Sequence, residues 1–267
     1  MNERKLADGT EAPALGHRAQ LDHTAVLEDL IVARTQELAA ALTELEAFTY
    51  SVAHDLRAPL RAINGFSQAL MEDHASRLDG EALDYLHRIR RASTHMAQLI
   101  DDLLKLSRIN RGELDRQEVD VSALVHRLAR TMAERHKGRT MRVDVQDGVV
   151  VHADTRLLAI ALENLLDNAW KFTRPQAAPE IRFSVAEQGG TRVFAVADNG
   201  VGFDMRYRHK LFAPFQRLHR DDEFEGTGIG LATVSRVVAR HGGEVWIECM
   251  PGKGTTVSFT LAGEKPV

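Results

Sequence analysis

An apolar side chain recurs every seven residues near the amino terminus, at Ile31, Leu38, Leu45 and Val52. The stretch from about residue 22 to residue 58 contains neither glycine nor proline, so nothing in it interrupts a helix. Because an α-helix has 3.6 residues per turn, a strict seven-residue repeat keeps facing a partner only when helices supercoil or join a bundle. The repeat therefore predicts a long helix that packs lengthwise against other helices.

A second long helix is predicted over about residues 81–109, after the polar segment 74–80, in which Gly80 supplies a turn. It carries two apolar rows, which are Leu86, Ser93 and Ile100, and Ile89, Met96 and Leu103. Two long helices joined by a short loop form an antiparallel hairpin. One hairpin cannot cover all of its apolar stripes, so we expect two chains to pair into a dimeric four-helix bundle. The alternative is that the stripes pack on the rest of the same chain.

Downstream of about Gly112 the pattern changes to short β-type runs that alternate with helical segments. The runs cover residues 141–145, 180–186, 191–197, 244–248 and 255–261, and the helical segments cover 122–136, 155–172 and 229–241. Ser122 and Asp154 occupy positions where helix N-caps belong. We therefore predict an α+β multidomain protein, in which the helical hairpin is followed by an α/β domain.

The composition limits the classes of function. A chain of 267 residues, 44% hydrophobic and 27% charged, has room for one or two domains with a substantial core. Its net charge of −4 argues against nucleic-acid binding driven by overall positive charge. The single cysteine, Cys249, fits a reducing compartment. No apolar run reaches the roughly 18–20 residues that span a bilayer, and the first residues lack the apolar block of a secretion signal. We expect a cytoplasmic protein.

The segment S-V-A-H-D-L-R-A-P-L-R, residues 51–61, places a histidine next to a carboxylate within the first helix. If Val52 and its row face inward, His54 lies two positions later and points away from the seam. Pro59 frees the carbonyl of Asp55 and so predicts a bend close to His54. An exposed imidazole whose tautomer is set by a neighbouring carboxylate can act as a nucleophile, whereas an isolated histidine on a helix is usually a surface or packing residue.

A second group of polar residues lies in the α/β part. Asn164, Asn168 and Lys171 fall at positions i, i+4 and i+7 of a predicted helix, so they share one face. Two carboxamides and an amine suit a hydrated Mg²⁺ ion and the phosphate oxygens that it bridges. By itself, this pattern is equally typical of a solvated polar face.

Glycine-containing motifs follow in order, with D-N-G-V-G at 198–202, G-T-G-I-G-L at 226–231 and G-K-G-T-T at 252–256. The aromatic segment L-F-A-P-F-Q-R-L at 211–218 precedes the second of them. Asp198 can accept a hydrogen bond from an exocyclic amine, and a Gly-rich turn at a helix N-terminus presents backbone N–H groups to phosphate. The glycine spacing fits neither a dinucleotide fingerprint nor a P-loop.

These motifs resemble those of a known family. The segment F-T-Y-S-V-A-H-D-L-R-A-P-L, residues 48–60, is similar to the phosphoacceptor box of sensor histidine kinases, in wording nearest to the phytochrome-type kinases. The motifs downstream resemble the α/β sandwich ATP-binding domain that these kinases share with type II topoisomerases and certain heat-shock chaperones. The resemblance covers about residues 45–262.

The resemblance implies ATP and Mg²⁺ as cofactors and a role for each matching residue. His54 would be the phosphoacceptor, assisted by Asp55. Asn168 would ligate Mg²⁺ with help from Asn164, and Lys171 and Arg217 would contact phosphate. Asp198 would bind the adenine amino group, in a pocket formed by Phe172, Gly200, Gly202 and Thr255. Residues 216–227 would form a lid, and the phosphates would be wrapped by Gly226, Thr227, Gly228, Ile229, Gly230 and Leu231.

The resemblance also implies a function, which is autophosphorylation of His54 from ATP followed by transfer to an aspartate of a separate response regulator. A homodimer is expected through the hairpin, and a sensory partner can dock on the amino-terminal coil. The alternatives are an ATP-driven conformational switch and a non-catalytic nucleotide-binding dimeric scaffold.

The corresponding domain boundaries follow from these motifs and from the composition. We expect a flexible tail over 1–22, a coiled-coil signalling helix over 23–47, and a dimerisation and phosphotransfer domain over 48–110. A linker over 111–117 then leads to the catalytic ATP-binding domain over 118–264.

One position separates kinases of this superfamily from its ATP-hydrolysing members, which carry a glutamate where this chain has Asn164. An amide cannot serve as a general base for water. The adjacent Glu163 is turned about 100° around the helix, so it does not take over that role. We therefore expect poor hydrolysis, which preserves ATP for transfer to the imidazole.

The residue four positions after His54 generates a prediction. Family members that dephosphorylate their regulator usually carry Thr or Asn there to orient water, and here it is Ala58, which has no polar side chain. We expect little or no phosphatase activity, measured as the decay of label on a phosphorylated response regulator. Rapid loss of that label on addition of this protein would contradict the prediction.

Overall fold

The computed structural model describes residues 11–109, 112–218 and 223–262. By internal contacts the chain forms two compact units, Met1–Val52 and Ala53–Val267. Across the three described ranges, no helix pairs the length with the apolar character that crossing a bilayer demands.

Helix α1 extends over Glu11–Asp73. The helix thus includes residues 11–22, where we expected a flexible tail. Pro13 does not prevent this, because it lies in the first turn, where a missing N–H costs no hydrogen bond. Residues 1–10 lie outside the described residues. In the first unit the apolar row is exposed at Ile31 and Leu45, while the side chain of Leu38 is outside the description.

The second unit begins with the helical hairpin. A short 3-10 turn at Ala75–Arg77 connects α1 to helix α2, Gly80–Arg108. The carboxylate of Asp79 accepts a hydrogen bond from the Ala82 N–H at 2.7 Å and caps α2. Gly80 is therefore the first residue of the helix, and the prediction that it forms the turn is wrong.

The two helices of the hairpin meet along a narrow apolar seam. Ala53 and Leu60 of α1 are buried against Ile100 and Leu104 of α2. On α2, the predicted row with Ile100 faces this seam, whereas Ile89 and Met96 of the other row are exposed. On α1, the buried row is Ala53, Leu60 and Ser67, one position after the row that continues from Val52. Seven-residue spacing defines rows but does not say which row meets which neighbour.

The remainder of the second unit is an α/β domain. Its strands are β1 Arg116–Asp120, β2 Arg142–Val145, β3 Val150–Asp154, β4 Glu180–Gln188, β5 Thr191–Asp198, β6 Val245–Met250 and β7 Gly254–Phe259. Five of them form a sheet in the order β2-β4-β5-β7-β6, in which only the β2–β4 pair is parallel, and β1 pairs with β3 in a separate antiparallel ribbon. The helices are α3 Val121–Arg135, α4 Thr155–Phe172 and α5 Gly230–Arg240. Helices and sheet share one buried core, so the predicted fold class is confirmed.

The predicted strands do not include β1 and β3. Strand β1 reads R-Q-E-V-D and buries only Val119, so it lacks an apolar pattern. The predicted N-cap at Asp154 is confirmed, since its carboxylate accepts from the Leu157 N–H at 3.0 Å. The predicted cap at Ser122 is wrong, because Asp120 caps α3 instead. The Ser122 hydroxyl is buried, where it donates to the Gln146 carbonyl and accepts from the Val149 N–H.

A fully buried histidine ties α5 to the β1–β3 ribbon. The Asp154 N–H donates to His241 Nε2 at 3.0 Å, so the ring proton is on Nδ1, which lies 2.8 Å from the Val237 carbonyl oxygen. Burial lowers the pKa of His241 below its ordinary value. The neutral ring is thus a structural link between α5 and β3.

This link predicts a pH-dependent stability. Below about pH 6.5 the unfolded chain binds a proton that the folded His241 resists, so the stability falls as the pH falls, by at most about 1.4 kcal/mol per pH unit. His241→Asn keeps a donor for Val237 but cannot titrate; at pH 7.5 it should cost about 1–3 kcal/mol.

Denaturant unfolding followed by tryptophan fluorescence measures this effect, because both tryptophans, Trp170 and Trp246, lie in the α/β domain. The stability difference between wild type and His241→Asn should shrink between pH 7.5 and 5.5. A difference that stays constant over this range would contradict the assigned neutral tautomer.

Candidate active site

The phosphoacceptor candidate lies on the surface of α1. The side chain of His54 is 72% exposed, and its Nδ1 lies 3.2 Å from Asp55 Oδ1. Because a carboxylate can only accept, this contact assigns the ring proton to Nδ1 and leaves the lone pair on Nε2 directed to solvent. The predicted exposure of the imidazole is confirmed.

The same stretch of α1 is tied to α2 by an ion pair. Arg57, one turn after His54, donates to Asp101 Oδ1 from Nε at 3.2 Å and from the terminal nitrogen at 2.6 Å. Helix α1 continues through Pro59 to Asp73. The ion pair therefore fixes the register of this turn of α1 relative to α2.

A large cavity of about 1880 Å³ opens in the second unit, bordered by α4, the start of α5, strands β5 and β7, and part of α2. Every residue predicted to contact the nucleotide lines it except Gly200. Among the described residues that line it, none belongs to α1. The structure thus brings the separate motifs of the α/β domain together around one space.

The polar face of α4 lines part of the cavity. The Asn164 side-chain amide donates to the Ile160 carbonyl at 2.8 Å, while its Oδ1 is directed at the first turn of α5. Lys171 Nζ lies 3.2 Å from Asn168 Oδ1 and 4.3 Å from the centre of the Phe172 ring. Burial is the main cause that lowers the pKa of Lys171, assisted by Arg217 and opposed by Asp167. The amine is thus poorly solvated and available to an anion.

The cavity is also lined by Asp198, at the end of β5. Asp198 Oδ1 accepts a hydrogen bond from the Gly200 N–H at 2.8 Å. Burial raises the pKa of Asp198 to about 6, although backbone hydrogen bonds from Gly200 and Thr255 oppose that rise. The carboxylate is thus held in a place where its charge is costly unless a further donor arrives.

Gly200 is packed closely against this carboxylate and the end of α4. A Cβ atom there would lie 2.7 Å from both Asp198 Oδ1 and the Phe172 carbonyl oxygen. Gly200 is predicted to help shape the base pocket; it does not line the cavity itself, and its N–H donates to the carboxylate of Asp198, which does. Gly202 does line the cavity, with a φ of 62° and no room for a Cβ beside the Met250 carbonyl.

The segment between the sheet and α5 is folded over the cavity. Arg217 donates to the carbonyl oxygens of Gly226 at 2.5 Å and Phe224 at 2.6 Å. The Phe224 ring contacts Phe172 with centroids 5.1 Å apart. Arg217 was predicted to contact phosphate, and here its guanidinium holds the lid backbone. Of the predicted lid, 216–227, residues 219–222 lie outside the described residues.

Gly228 has a structural reason to be glycine. Its φ is 72°, and a Cβ would lie 2.9 Å from the Gln216 carbonyl oxygen. Any side chain there would strain the backbone and push the lid away from α5.

Two contacts at the cavity were not predicted. Glu163, next to Asn164, forms an ion pair with Arg135 of α3 at 3.1 Å. The Thr227 hydroxyl donates to Asp102 Oδ2 of α2 at 2.9 Å. In sequence, Arg135 and Asp102 look like ordinary charged residues on helix surfaces, and only the packing of distant segments gives them these partners.

Metal-binding side chains are sparse here. Within the described ranges, no group of three or more His, Cys, Asp or Glu side chains is placed to hold a metal ion. On one face of α4, Asn164 and Asn168 offer the side-chain carbonyl oxygens that are predicted to hold the ion. Such a set fits Mg²⁺, which retains several waters and needs few protein oxygens.

Two family models match the chain. Residues 44–112 match the His Kinase A (phospho-acceptor) domain, and residues 153–265 match the Histidine kinase-, DNA gyrase B-, and HSP90-like ATPase. The methanogenesis regulatory histidine kinase FilI of Methanothrix harundinacea is 38% identical over 85% of this chain and 26% of FilI. The phytochrome-like protein Cph1 of Synechocystis sp. is 31% identical over 87% of this chain and 32% of Cph1.

A solved structure is similar as well. Full-length ShkA in complex with AMPPNP superposes with a TM-score of 0.59 at 28% identity, covering 82% of this chain and 46% of ShkA. The chain spans about a quarter to a third of the length of the two curated relatives. The helical hairpin with its exposed histidine and the α/β domain with its cavity thus agree with both family matches, and this chain belongs to the sensor histidine kinase family.

Proposed function

We propose that this chain is an autophosphorylating histidine kinase of a two-component system, which transfers the γ-phosphoryl group of ATP to His54. The observation that carries this proposal is an exposed imidazole with its proton held on Nδ1, combined with a cavity lined by the predicted nucleotide residues. The AMPPNP complex of ShkA supports a nucleotide as the ligand.

The transfer step follows from the tautomer. The Nε2 lone pair of His54 attacks the γ-phosphorus, an N–P bond forms, and the bond to the bridging oxygen breaks. ADP leaves with that electron pair. The proton stays on Nδ1, where Asp55 balances the positive charge that develops on the ring.

Within the cavity, Asp198 would accept a hydrogen bond from the adenine amino group, and Lys171 would contact phosphate. Asn168 and Asn164 would hold Mg²⁺ through their side-chain oxygens. Bound Mg²⁺ neutralises charge on the phosphate oxygens.

Transfer to the imidazole is favoured over hydrolysis by the residues that surround Asn164. Asn164 cannot deprotonate water, and Glu163 is engaged by Arg135. This argues against an ATP-driven conformational switch, which would turn ATP over rapidly. The lined cavity argues against a scaffold that has lost its nucleotide site.

The proposed partners are a second copy of this chain and a separate response regulator that accepts the phosphoryl group on an aspartate. On α1 the large apolar side chains of Leu56, Ile63, Phe66 and Leu70 are exposed, as are Tyr85, Ile89 and Met96 on α2. This apolar stripe supports the predicted four-helix bundle. A sensory partner at the amino-terminal coil and the cytoplasmic location stay predictions.

Removal of the phosphoacceptor provides the first test. Protein incubated with γ-labelled ATP should acquire an acid-labile, alkali-stable label, and His54→Gln should lose it completely, because an amide cannot form the N–P bond. His74→Gln, which changes an exposed histidine in the turn between the helices, is the matched control and should label normally. Persistent labelling of His54→Gln would refute the assignment.

The pKa of Asp198 provides a second test. The adenine amine binds the ionised carboxylate, so nucleotide affinity should rise with pH through about 6 and level off above it. ADP titrations by calorimetry should be run in parallel on wild type and Asp198→Asn, because the ratio of the two affinities cancels the titration of the ADP phosphates.

The ratio of the wild-type affinity to the Asp198→Asn affinity should rise with pH, by up to about tenfold per pH unit below pH 6. Above that pH the ratio should become constant. A ratio that does not change between pH 5 and 8 would contradict the proposed role of this carboxylate.

A further inference from the structure

The wall of the cavity is rich in positive charge, although the chain as a whole is not. Among the described residues, ten Lys or Arg and five Asp or Glu line the cavity, whereas the net charge of the chain is −4. Lys171 and Arg217 are the two of these cations that the nucleotide is predicted to meet. Most of the positive charge on the wall is therefore not accounted for by the proposed function.

Three of the remaining cations come from the segments that follow α3 and α4. Lys137 and Arg139 follow α3, and Arg174 follows α4. The Arg139 guanidinium donates to the Trp170 carbonyl oxygen at 2.6 Å and to the Thr173 hydroxyl at 3.0 Å, so it is held against the end of α4. We call Lys137, Arg139 and Arg174 the basic cluster.

The basic cluster lacks neutralising partners. Other cations of the wall are paired, since Arg135 meets Glu163 and Lys105 meets Asp102. Within the part of the chain that the structure describes, no member of the basic cluster forms an ion pair with a carboxylate. Burial is the main cause that lowers the pKa of Arg139, and the nearby charge of Arg174 adds to it. Because like charges repel, an anion would stabilise the cluster.

Trp170 adds a donor next to the basic cluster. It is only 3% exposed, lines the cavity, and stacks on His136 with ring centroids 5.7 Å apart. Its indole N–H is buried and has no acceptor among the residues that the structure describes. The end of α4 thus combines cations that have no counter-charge with a donor that has no acceptor.

Helix α2 contributes further cations to the same cavity. Arg90 and Arg91 both line it, and neither forms an ion pair with a described carboxylate. The Nε of Arg90 is buried without an acceptor. The cavity therefore presents uncompensated guanidinium groups from α2 as well as from the ends of α3 and α4.

The cavity is large enough for a second ligand besides a nucleotide. Its volume of about 1880 Å³ exceeds the roughly 300–1,000 Å³ of a typical small-molecule site. Trp170 is turned by about 100° or more around α4 from Asn164, Asn168 and Lys171. A nucleotide bound to those three residues would therefore leave the basic cluster uncovered.

We propose that the basic cluster binds a second anion, a small molecule with two or more phosphate groups, at the same time as the nucleotide. Arg174 and the remaining N–H groups of Arg139 donate to phosphate oxygens, for which the guanidinium fork is well shaped, and Lys137 adds a positive charge. A concave wall encloses a small molecule more completely than it does a protein surface. This site goes beyond the proposed kinase function and does not depend on it.

Calorimetric titration of the full chain with sodium tripolyphosphate tests the site. The titration is run with saturating ADP and without added Mg²⁺, because ADP occupies the nucleotide residues and Mg²⁺ would bind the probe. We expect one tripolyphosphate per chain, with an affinity that falls as salt screens the attraction. Absence of saturable binding in the presence of ADP would overturn the proposal.

Variants of the basic cluster locate the binding. Lys137→Ala and Arg174→Ala should each weaken tripolyphosphate binding about tenfold, because each removes a charged donor from the phosphate oxygens. Both side chains are exposed, so their removal leaves the core intact. The affinity of each variant for ADP should stay within about threefold of wild type, which shows that the cavity is folded.

Two exposed arginines of α3 that do not line the cavity provide the matched controls. Arg127→Ala and Arg130→Ala remove the same kind of charge and should leave tripolyphosphate binding unchanged. Equal weakening by the control and cluster variants would show that overall charge attracts the probe, and the proposal would be overturned. Neither result depends on labelling of His54, so this proposal and the proposed function fail separately.

A peptide of six glutamates separates phosphate from carboxylate ligands. At the same ionic strength it should bind at least about tenfold more weakly than tripolyphosphate, because its charges are spread along a flexible chain that must be ordered on binding. If the peptide binds as tightly and is equally sensitive to Arg174→Ala, the cluster is a docking surface for an acidic protein segment. That outcome would overturn the phosphate assignment.

Discussion

The burial of one carboxylate governs the chemistry of the cavity. Asp198 is held at the end of β5 by the Gly200 and Thr255 backbone, in a place where burial raises its pKa to about 6. An ionised group there gains from any donor that enters, and an exocyclic amine supplies one without bringing a charge. The cavity also presents two amides and a poorly solvated amine. A ligand that carries both an exocyclic amine and phosphates offers a partner to each of these groups.

The hairpin keeps the imidazole of His54 exposed on the surface of a helix. Asp55 holds the ring proton of His54 on Nδ1, and the pair between Arg57 and Asp101 fixes the level of this turn along α2. The lid meets α2 one residue further, at Asp102. Polar contacts thus join α1 to α2 and join α2 to the segment before α5.

Much of the site could be predicted because its residue types are dictated by local chemistry. Asn164, Asn168 and Lys171 share a helix face by spacing alone, and a glycine with positive φ, such as Gly228, is required wherever the backbone turns beside another strand of chain. The errors have equally local reasons. The first turn of α1 tolerates Pro13, Asp120 outcompetes Ser122 as a cap, and strand β1 is hidden because its pattern is mostly charged.

The sequence by itself determined the helical hairpin, the α/β domain, the exposure of His54 and the residue types around the nucleotide site. Periodicity, capping and side-chain chemistry act over a few residues, so a sequence pattern can express them. Only the tertiary structure decided that Gly200 lies against the Phe172 carbonyl, that Arg135 engages Glu163, and that Asp102 meets Thr227. Each of these depends on the approach of segments far apart in the chain, and the packing of whole elements sets that approach.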